Sequence, residues 1–119
     1  MLLDDDDDLR TTLADVLRET CQFDCVAVRD VPSMIAEADR VLGCSVALID
    51  VNLGEGAPSG LDAYQWLARH QFAGRVVFLT GHAVTHAAIR DLIETGAASV
   101  LQKPASVSRL RAVLEVPCP

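Results

Sequence analysis

Hydrophobic residues along this chain follow two alternating spacings. Five short, mostly apolar runs, at 1–3, 25–28, 46–49, 76–79 and 99–101, have the composition of strands that are covered on both faces. Between and after these runs, apolar residues recur at helical spacing, which predicts five helices. Their inner faces are Leu9, Leu13, Val16 and Leu17; Met34, Ala38, Val41 and Leu42; Leu61, Tyr64, Leu67 and Ala68; Ile89, Leu92 and Ile93; and Val107, Leu110, Val113 and Leu114. Alternation of strand and helix with short connections predicts an α/β fold, in which helices cover both faces of a five-stranded parallel sheet.

Length and composition fit one domain spanning 1–119. The chain has 119 residues, of which 50% are hydrophobic, so a core of normal size can form. A formal net charge of -7 argues against direct binding of nucleic acid, which usually requires a basic surface. No apolar stretch approaches the roughly 20 residues that cross a bilayer, so we expect a cytoplasmic domain without membrane insertion. None of the 4 cysteines has the spacing of a metal site, and we expect free thiols.

Four of the predicted strands end at polar or charged residues. Asp4 and Asp5 follow the first run, Asp50 follows 46–49, Thr80 follows 76–79, and Lys103 follows the last run. Ligands of open parallel sheets bind outside the carboxyl ends of the strands, where these side chains are expected to meet. Carboxylates, a hydroxyl and an ammonium together suit a divalent metal ion and a phosphoryl group.

Five sequence motifs then carry a resemblance to the receiver domain of two-component response regulators. They are, in chain order, L-L-D-D-D-D-D-L-R, V-A-L-I-D-V-N-L, S-G-L-D, V-V-F-L-T-G-H and G-A-A-S-V-L-Q-K-P. Each motif alone is unspecific, whereas all five in this order at the ends of the predicted strands are highly specific. The resemblance covers the whole chain and implies a flavodoxin-like, doubly wound sheet with strand order 2-1-3-4-5.

The resemblance also implies a Mg²⁺ site and a phosphoacceptor. Asp50 matches the carboxylate that takes a phosphoryl group from a phosphohistidine, in a reaction that the domain catalyses only on itself. Asp4 and Asp5 match the acidic pair that holds Mg²⁺ together with Asp50, and Asn52 matches the residue that contributes a backbone carbonyl. These are the hard oxygen ligands that Mg²⁺ prefers.

Thr80 and Lys103 match the residues that contact the phosphoryl group, and Pro104 follows the lysine as in the family. The resemblance implies a sensor histidine kinase or a histidine phosphotransfer protein as the partner. It further implies a homodimer through the face formed by the fourth predicted helix, the fifth strand and the fifth helix. The domain is expected to stand alone or to form part of a hybrid histidine kinase or a larger regulator.

The sequence departs from the family pattern in three places, and a fourth position is expected to tune the reaction. Val100 stands where the family usually has tyrosine or phenylalanine, so the aromatic switch that accompanies movement of the threonine is not expected in its usual form. The loop 53–60 is longer than the common form and lies beside Asp50, where it is expected to affect kinase docking or access of the metal. Ala105 replaces a common phenylalanine, and His82 occupies a position that is expected to modulate hydrolysis of the acyl phosphate.

Two other hypotheses follow from the same residues. A haloacid-dehalogenase-like phosphohydrolase would use Asp4 as nucleophile and Asp6 as acid and base. Against it, Asp8 occupies the usual place of threonine or valine, and no late acidic pair follows Lys103. A degenerate receiver would act only as an interaction module, which the missing aromatic residue at Val100 favours weakly and the complete acidic set disfavours.

Overall fold

Five parallel strands form one sheet in the order β2-β1-β3-β4-β5, as the resemblance implied. The strands are β1 (Leu2–Leu3), β2 (Ala27–Val28), β3 (Val46–Asp50), β4 (Arg75–Thr80) and β5 (Ser99–Gln102). The computed structural model describes residues 1–20, 25–51, 60–81, 87–103, 108–110 and 112. β1 lies between β2 and β3 in the sheet, so the chain changes direction along the sheet beside the first strand. This is the switch point at which such sheets bind ligands.

Helices connect the strands. They are α1 (Asp7–Asp15), which continues as a π-helical turn at Val16–Thr20, α2 (Val31–Ala36), α3 (Ala38–Leu42), α4 (Gly60–Arg69) and α5 (Ala87–Glu94). Residues 108–110 and 112 are also helical. The second predicted helix is therefore two segments separated at Glu37, and the fourth predicted helix corresponds to α5.

Two hydrophobic clusters cover the two faces of the sheet. Side chains of a strand point alternately to opposite faces, which divides β3 and β4 between the clusters. One cluster joins the sheet to α2, α3, α4 and α5 and includes Leu3, Val28, Met34, Val41, Ile49, Ala63, Leu67, Phe78 and Ile89. The other joins it to α1 and to the helical residue Leu110 and includes Leu2, Leu13, Leu17, Leu48, Val77, Leu79 and Leu101. The prediction that helices cover both faces of a parallel sheet is confirmed.

Helix ends are fixed by residues with strong capping preferences. The Asp30 carboxylate accepts a hydrogen bond from Ser33 N at 2.8 Å and caps α2, and bonding to Ser33 lowers the pKa of Asp30. Gly96 has φ +82 two residues after the end of α5, a left-handed conformation that commonly ends a helix and that glycine adopts without strain.

The inner face of α4 differs from the prediction at three positions, two buried residues that the prediction missed and one exposed residue that it included. Ala63 is buried in the core, whereas Ala68 is exposed, so the stripe runs through Gly60, Ala63 and Leu67. Trp66 is half-buried against the core and stacks on exposed His70, with ring centroids 4.3 Å apart.

The cysteines that the structure describes carry free thiols, as predicted. Cys25 is buried and Cys44 is half-buried. Burial raises the pKa of the Cys25 thiol. Predictions for Cys21, Cys118, His86, Val107, Val113 and Leu114 lie outside the described residues. In the part of the chain that is described, no helix combines the length and the apolar character needed to cross a membrane.

Candidate functional site

The strand ends bring the predicted residues to one edge of the sheet. Asp4 directly follows β1, Asp50 and Thr80 are the last residues of β3 and β4, and Lys103 follows β5. Backbone hydrogen bonds tie these ends together, from Lys103 N to Thr80 O at 2.7 Å and from Val51 N to Leu79 O at 3.0 Å. The parallel pairing of the strands therefore sets the relative positions of the four side chains.

Three carboxylates form a cluster at this edge. One carboxylate oxygen each from Asp4, Asp5 and Asp50 lies within 4.8 Å of the other two. Asp4 and Asp50 are buried, at 0% and 6% exposure, whereas Asp5 is exposed. The Oδ1 atom of Asp4 accepts a hydrogen bond from Asp6 N at 3.0 Å, and its buried Oδ2 has no hydrogen-bond partner among the described residues. Hard oxygen atoms in this arrangement, one of them without a hydrogen bond, fit a divalent cation such as Mg²⁺.

Lys103 bridges the two buried carboxylates. Its Nζ lies 3.0 Å from Asp4 Oδ2 and 3.3 Å from Asp50 Oδ2. The contact with Asp4 is an ion pair with the buried Oδ2 atom of that carboxylate. Burial by itself lowers the pKa of Lys103, but the two carboxylates outweigh burial and leave it above the ordinary value. The ammonium group is therefore held charged between two strand ends.

The acidic segment after β1 has internal order. The Asp6 carboxylate accepts a hydrogen bond from Leu9 N at 3.0 Å and caps α1. Arg10 donates from Nη1 to the carbonyl of Asp4 at 2.9 Å and also pairs with Asp7. The hydrogen bond that Arg10 donates to the Asp7 carboxylate, together with the positive charge of Arg10, lowers the pKa of Asp7. Arg10 thus links the end of β1 to the first turn of α1, a role that the sequence did not reveal because it depends on the path of the chain.

Thr80 and Gly60 complete the surroundings of Asp50. Thr80 is buried, at 8% exposure, at the end of the neighbouring strand. Gly60, the first residue of α4, donates from its backbone N to Val51 O at 3.3 Å. Sequence patterns placed Gly60 only in the S-G-L-D motif and at the end of a loop, since its packing beside Asp50 depends on tertiary structure.

Several predicted features lie outside the described residues. They are Asn52, residues 53–59 of the long loop, His82, Pro104 and Ala105. Val100 is described and is 41% exposed on the edge strand β5. Its Cα pairs in the sheet with that of Phe78, which is fully buried. An exposed aliphatic side chain therefore stands where the family usually carries an aromatic ring.

Comparison with known proteins agrees with this geometry. The chain matches the family model of the response regulator receiver domain over residues 1–115. No curated protein matches the chain. The solved receiver domain of NtrX from Brucella abortus is 26% identical, with TM-score 0.76, and the match covers 96% of this chain and 92% of that chain.

Two further solved structures are similar. NtrX from Brucella abortus in complex with ATP is 25% identical, with TM-score 0.78, and 96% of this chain matches 25% of that chain. A CheY-like response regulator receiver domain protein from Methanospirillum hungatei JF-1 is 17% identical, with TM-score 0.79, over 96% of this chain and 87% of that chain. The chain therefore spans a quarter of the length of the longer NtrX structure.

The chain belongs to the response regulator receiver domain family, because the family model matches almost its whole length. Its five parallel strands in the order 2-1-3-4-5 have the flavodoxin-like arrangement of CheY-like receiver domains. Receiver domains are signalling domains of two-component systems rather than enzymes in the usual sense. The family typically binds Mg²⁺, which agrees with the cluster of Asp4, Asp5 and Asp50.

Proposed function

We propose that this domain accepts a phosphoryl group on Asp50 from a histidine kinase or a histidine phosphotransfer protein, in a reaction that depends on Mg²⁺. The observation that carries the proposal is the position of Lys103, within 3.3 Å of Asp50 and 3.0 Å of Asp4, beside a third carboxylate from Asp5. In this arrangement the Lys103 ammonium offsets the negative charge of the carboxylates before transfer. The same ammonium provides positive charge beside the incoming phosphoryl oxygens.

The metal would be held by carboxylate oxygens of Asp4, Asp5 and Asp50, with the backbone carbonyl of Asn52 as the predicted fourth protein ligand. When bound, Mg²⁺ supplies positive charge that offsets the charge of the phosphoryl oxygens. The Oδ2 atom of Asp4 supports this assignment, because it is buried and has no hydrogen-bond partner among the described residues. The Lys103 ammonium, 3.0 Å away, is its neighbouring positive charge.

The transfer itself requires little covalent chemistry from the protein. A carboxylate oxygen of Asp50 forms the new bond to phosphorus, the bond between phosphorus and the histidine nitrogen breaks, and the imidazole leaves with that electron pair. Asp50 is held for this attack at the end of a central strand, between β1 and β4. Lys103, which contacts both Asp50 and Asp4 before transfer, would pair with an oxygen of the phosphoryl group.

The response would pass through Thr80, because it is the last residue of the strand next to Asp50. Its carbonyl oxygen also accepts a backbone hydrogen bond from Lys103 N. A phosphoryl group adds about -1.5 to -2 of charge and new acceptor oxygens, toward which the hydroxyl can turn. The exposed Val100 means that this signal leaves by a route other than burial of an aromatic ring. We further propose that the domain acts in the cytoplasm, through an output domain or partner, with a homodimer through α5, β5 and the last helix.

Incubation of the purified protein with acetyl phosphate and Mg²⁺ tests the proposal. Intact-mass spectrometry should detect one added phosphoryl group on the wild type and none on Asp50→Asn. Asp6→Asn is the matched control, because Asp6 is an exposed acid of the same aspartate run that caps α1 and lies outside the three-carboxylate cluster, and this variant should be phosphorylated. Incorporation that survives in Asp50→Asn would favour the phosphohydrolase, and no incorporation in the wild type would favour the degenerate receiver.

A further inference from the structure

The start of α4 lies against the backbone of the proposed phosphoacceptor. A Cβ atom built on Gly60 would lie 2.6 Å from the carbonyl oxygen of Asp50, 3.1 Å from Cα of Val51 and 3.2 Å from Cγ2 of Ile49. The first two are backbone atoms, which cannot turn away as a side chain can. Any residue other than glycine would therefore displace the end of β3, the start of α4, or both.

The need for glycine at this position is steric and does not come from the backbone angles. Among the described glycines only Gly96 has a positive φ, so Gly60 has a conformation that alanine also adopts. In a helix with space around its side chains, alanine stabilises the helix more than glycine does. At Gly60 the steric contact that a Cβ would make with the Asp50 carbonyl opposes this preference for alanine, because the first residue of α4 lies against the end of β3.

Gly60 also closes the base of the long loop. Val51 and Gly60 flank residues 52–59 in the sequence, and a hydrogen bond from Gly60 N to Val51 O joins these two residues. Val51 is held on its other side by its bond to Leu79 O at 3.0 Å. The residue after Asp50 is thus fixed between β4 and α4, whatever the length of the loop between 51 and 60.

We propose that Gly60 is a positioning residue for Asp50, which allows α4 to pack on the Asp50 carbonyl and so fixes the carboxylate within the metal and phosphoryl site. The inference rests on the proposed function. Relief of the contact made by an added Cβ requires a shift of roughly 0.8 Å, and a misplacement of about 1 Å can lower a reaction rate about a hundredfold. We expect Gly60→Ala to lower both Mg²⁺ affinity and the rate of phosphorylation by about tenfold or more.

Gly74 provides a matched control at the opposite end of β3. Its Cβ would lie 2.6 Å from the carbonyl oxygen of Ser45, just before β3 begins, and 2.5 Å from Cζ of Phe72. Gly74→Ala therefore introduces a backbone contact of the same size at the opposite edge of the sheet. Thermal unfolding should register both variants, whereas Mg²⁺ titration by calorimetry and acetyl phosphate labelling should change only in Gly60→Ala.

The outcomes separate this inference from the proposed function. A wild type that takes up no phosphoryl group would overturn the proposed function. A labelled wild type with equal Mg²⁺ affinity and rate in the two alanine variants would overturn the role of Gly60 alone. If Gly60→Ala does not fold, ¹⁵N spectra of the wild type decide: on addition of Mg²⁺ the amides of Asp50 and Gly60 should shift and that of Gly74 should not. An unmoved Gly60 amide would contradict the proposal.

Discussion

Replacement of Lys103 by methionine removes the positive charge between Asp4 and Asp50 and keeps most of the side-chain volume. The ammonium lies 3.0 Å and 3.3 Å from the two carboxylates, which are themselves buried. In the variant, these two neighbouring carboxylates lose the ammonium group that lies between them. We expect the variant to be less stable than the wild type at neutral pH in the absence of divalent metal.

The distances set the size of this effect. At an effective dielectric constant of about 20, each contact contributes about 5 kcal/mol of attraction, and desolvation of the three groups opposes most of it. Removal of one partner from a buried ion pair usually costs about 3–5 kcal/mol. The Lys103 side chain keeps 20% exposure, so solvent screening should reduce the cost to about 2–3 kcal/mol, at or just below the lower end of that range. With an m-value of about 1.5–2 kcal/mol/M, the urea midpoint should fall by about 1–2 M.

Mg²⁺ gives the sharper test. A ligand that binds only the folded state stabilises it by an amount that grows as its dissociation constant falls. Without the ammonium, the carboxylates attract Mg²⁺ more strongly, so millimolar Mg²⁺ should stabilise Lys103→Met more than the wild type. Urea unfolding followed by the fluorescence of Trp66, the only tryptophan, measures this in EDTA and in Mg²⁺.

Arg40→Met is the control for removal of a cation. Arg40 pairs with Glu37 at 3.4 Å in an exposed position far less enclosed than that of Lys103, so its loss should change stability by less than about 1 kcal/mol. The stability gain from Mg²⁺ in this variant should equal that of the wild type. Unchanged stability of Lys103→Met, or equal Mg²⁺ stabilisation in both Lys103→Met and the wild type, would refute the electrostatic reasoning.

Three further predictions concern pH, helix capping and thiol chemistry. Because the carboxylates raise the folded-state pKa of Lys103 above 10.5, its stabilising effect is complete below that pH and is lost as the pH rises through the folded value. The stability difference between wild type and Lys103→Met should thus be constant from about pH 8 to pH 10 and shrink above, as urea unfolding at each pH can establish. Asp6→Ala removes the cap that accepts from Leu9 N and should cost about 1 kcal/mol in urea unfolding, whereas Asp6→Asn, which keeps an acceptor, should cost a few tenths. In a variant whose other two cysteines are serine, Cys25 should react with iodoacetamide at least about tenfold more slowly than Cys44 at pH 8, because burial raises the Cys25 pKa; similar rates would contradict this assignment.

Much of the fold was predictable because its signals are local. The apolar run before Asp50 is short and continuous, as expected for a strand covered on both faces, and its alternation with segments of helical spacing indicated parallel pairing. The interruption at Glu37 was not predictable, because the apolar positions Met34 and Val41 keep helical spacing across it and both are buried. Burial of Ala63 in place of Ala68 depends on the rotation of α4 against the sheet, which periodicity does not specify closely.

The sequence by itself determined which side chains stand at the carboxyl edge of the sheet, since each follows directly on an apolar strand. The tertiary structure decided how they interact: Lys103 reaches both Asp4 and Asp50, and α4 begins on the Asp50 carbonyl where only glycine fits. The physical reason is one of range. Strand identity and strand ends follow from neighbours along the chain, whereas distances of a few ångströms between residues of different strands depend on the packing of the whole sheet and its helices.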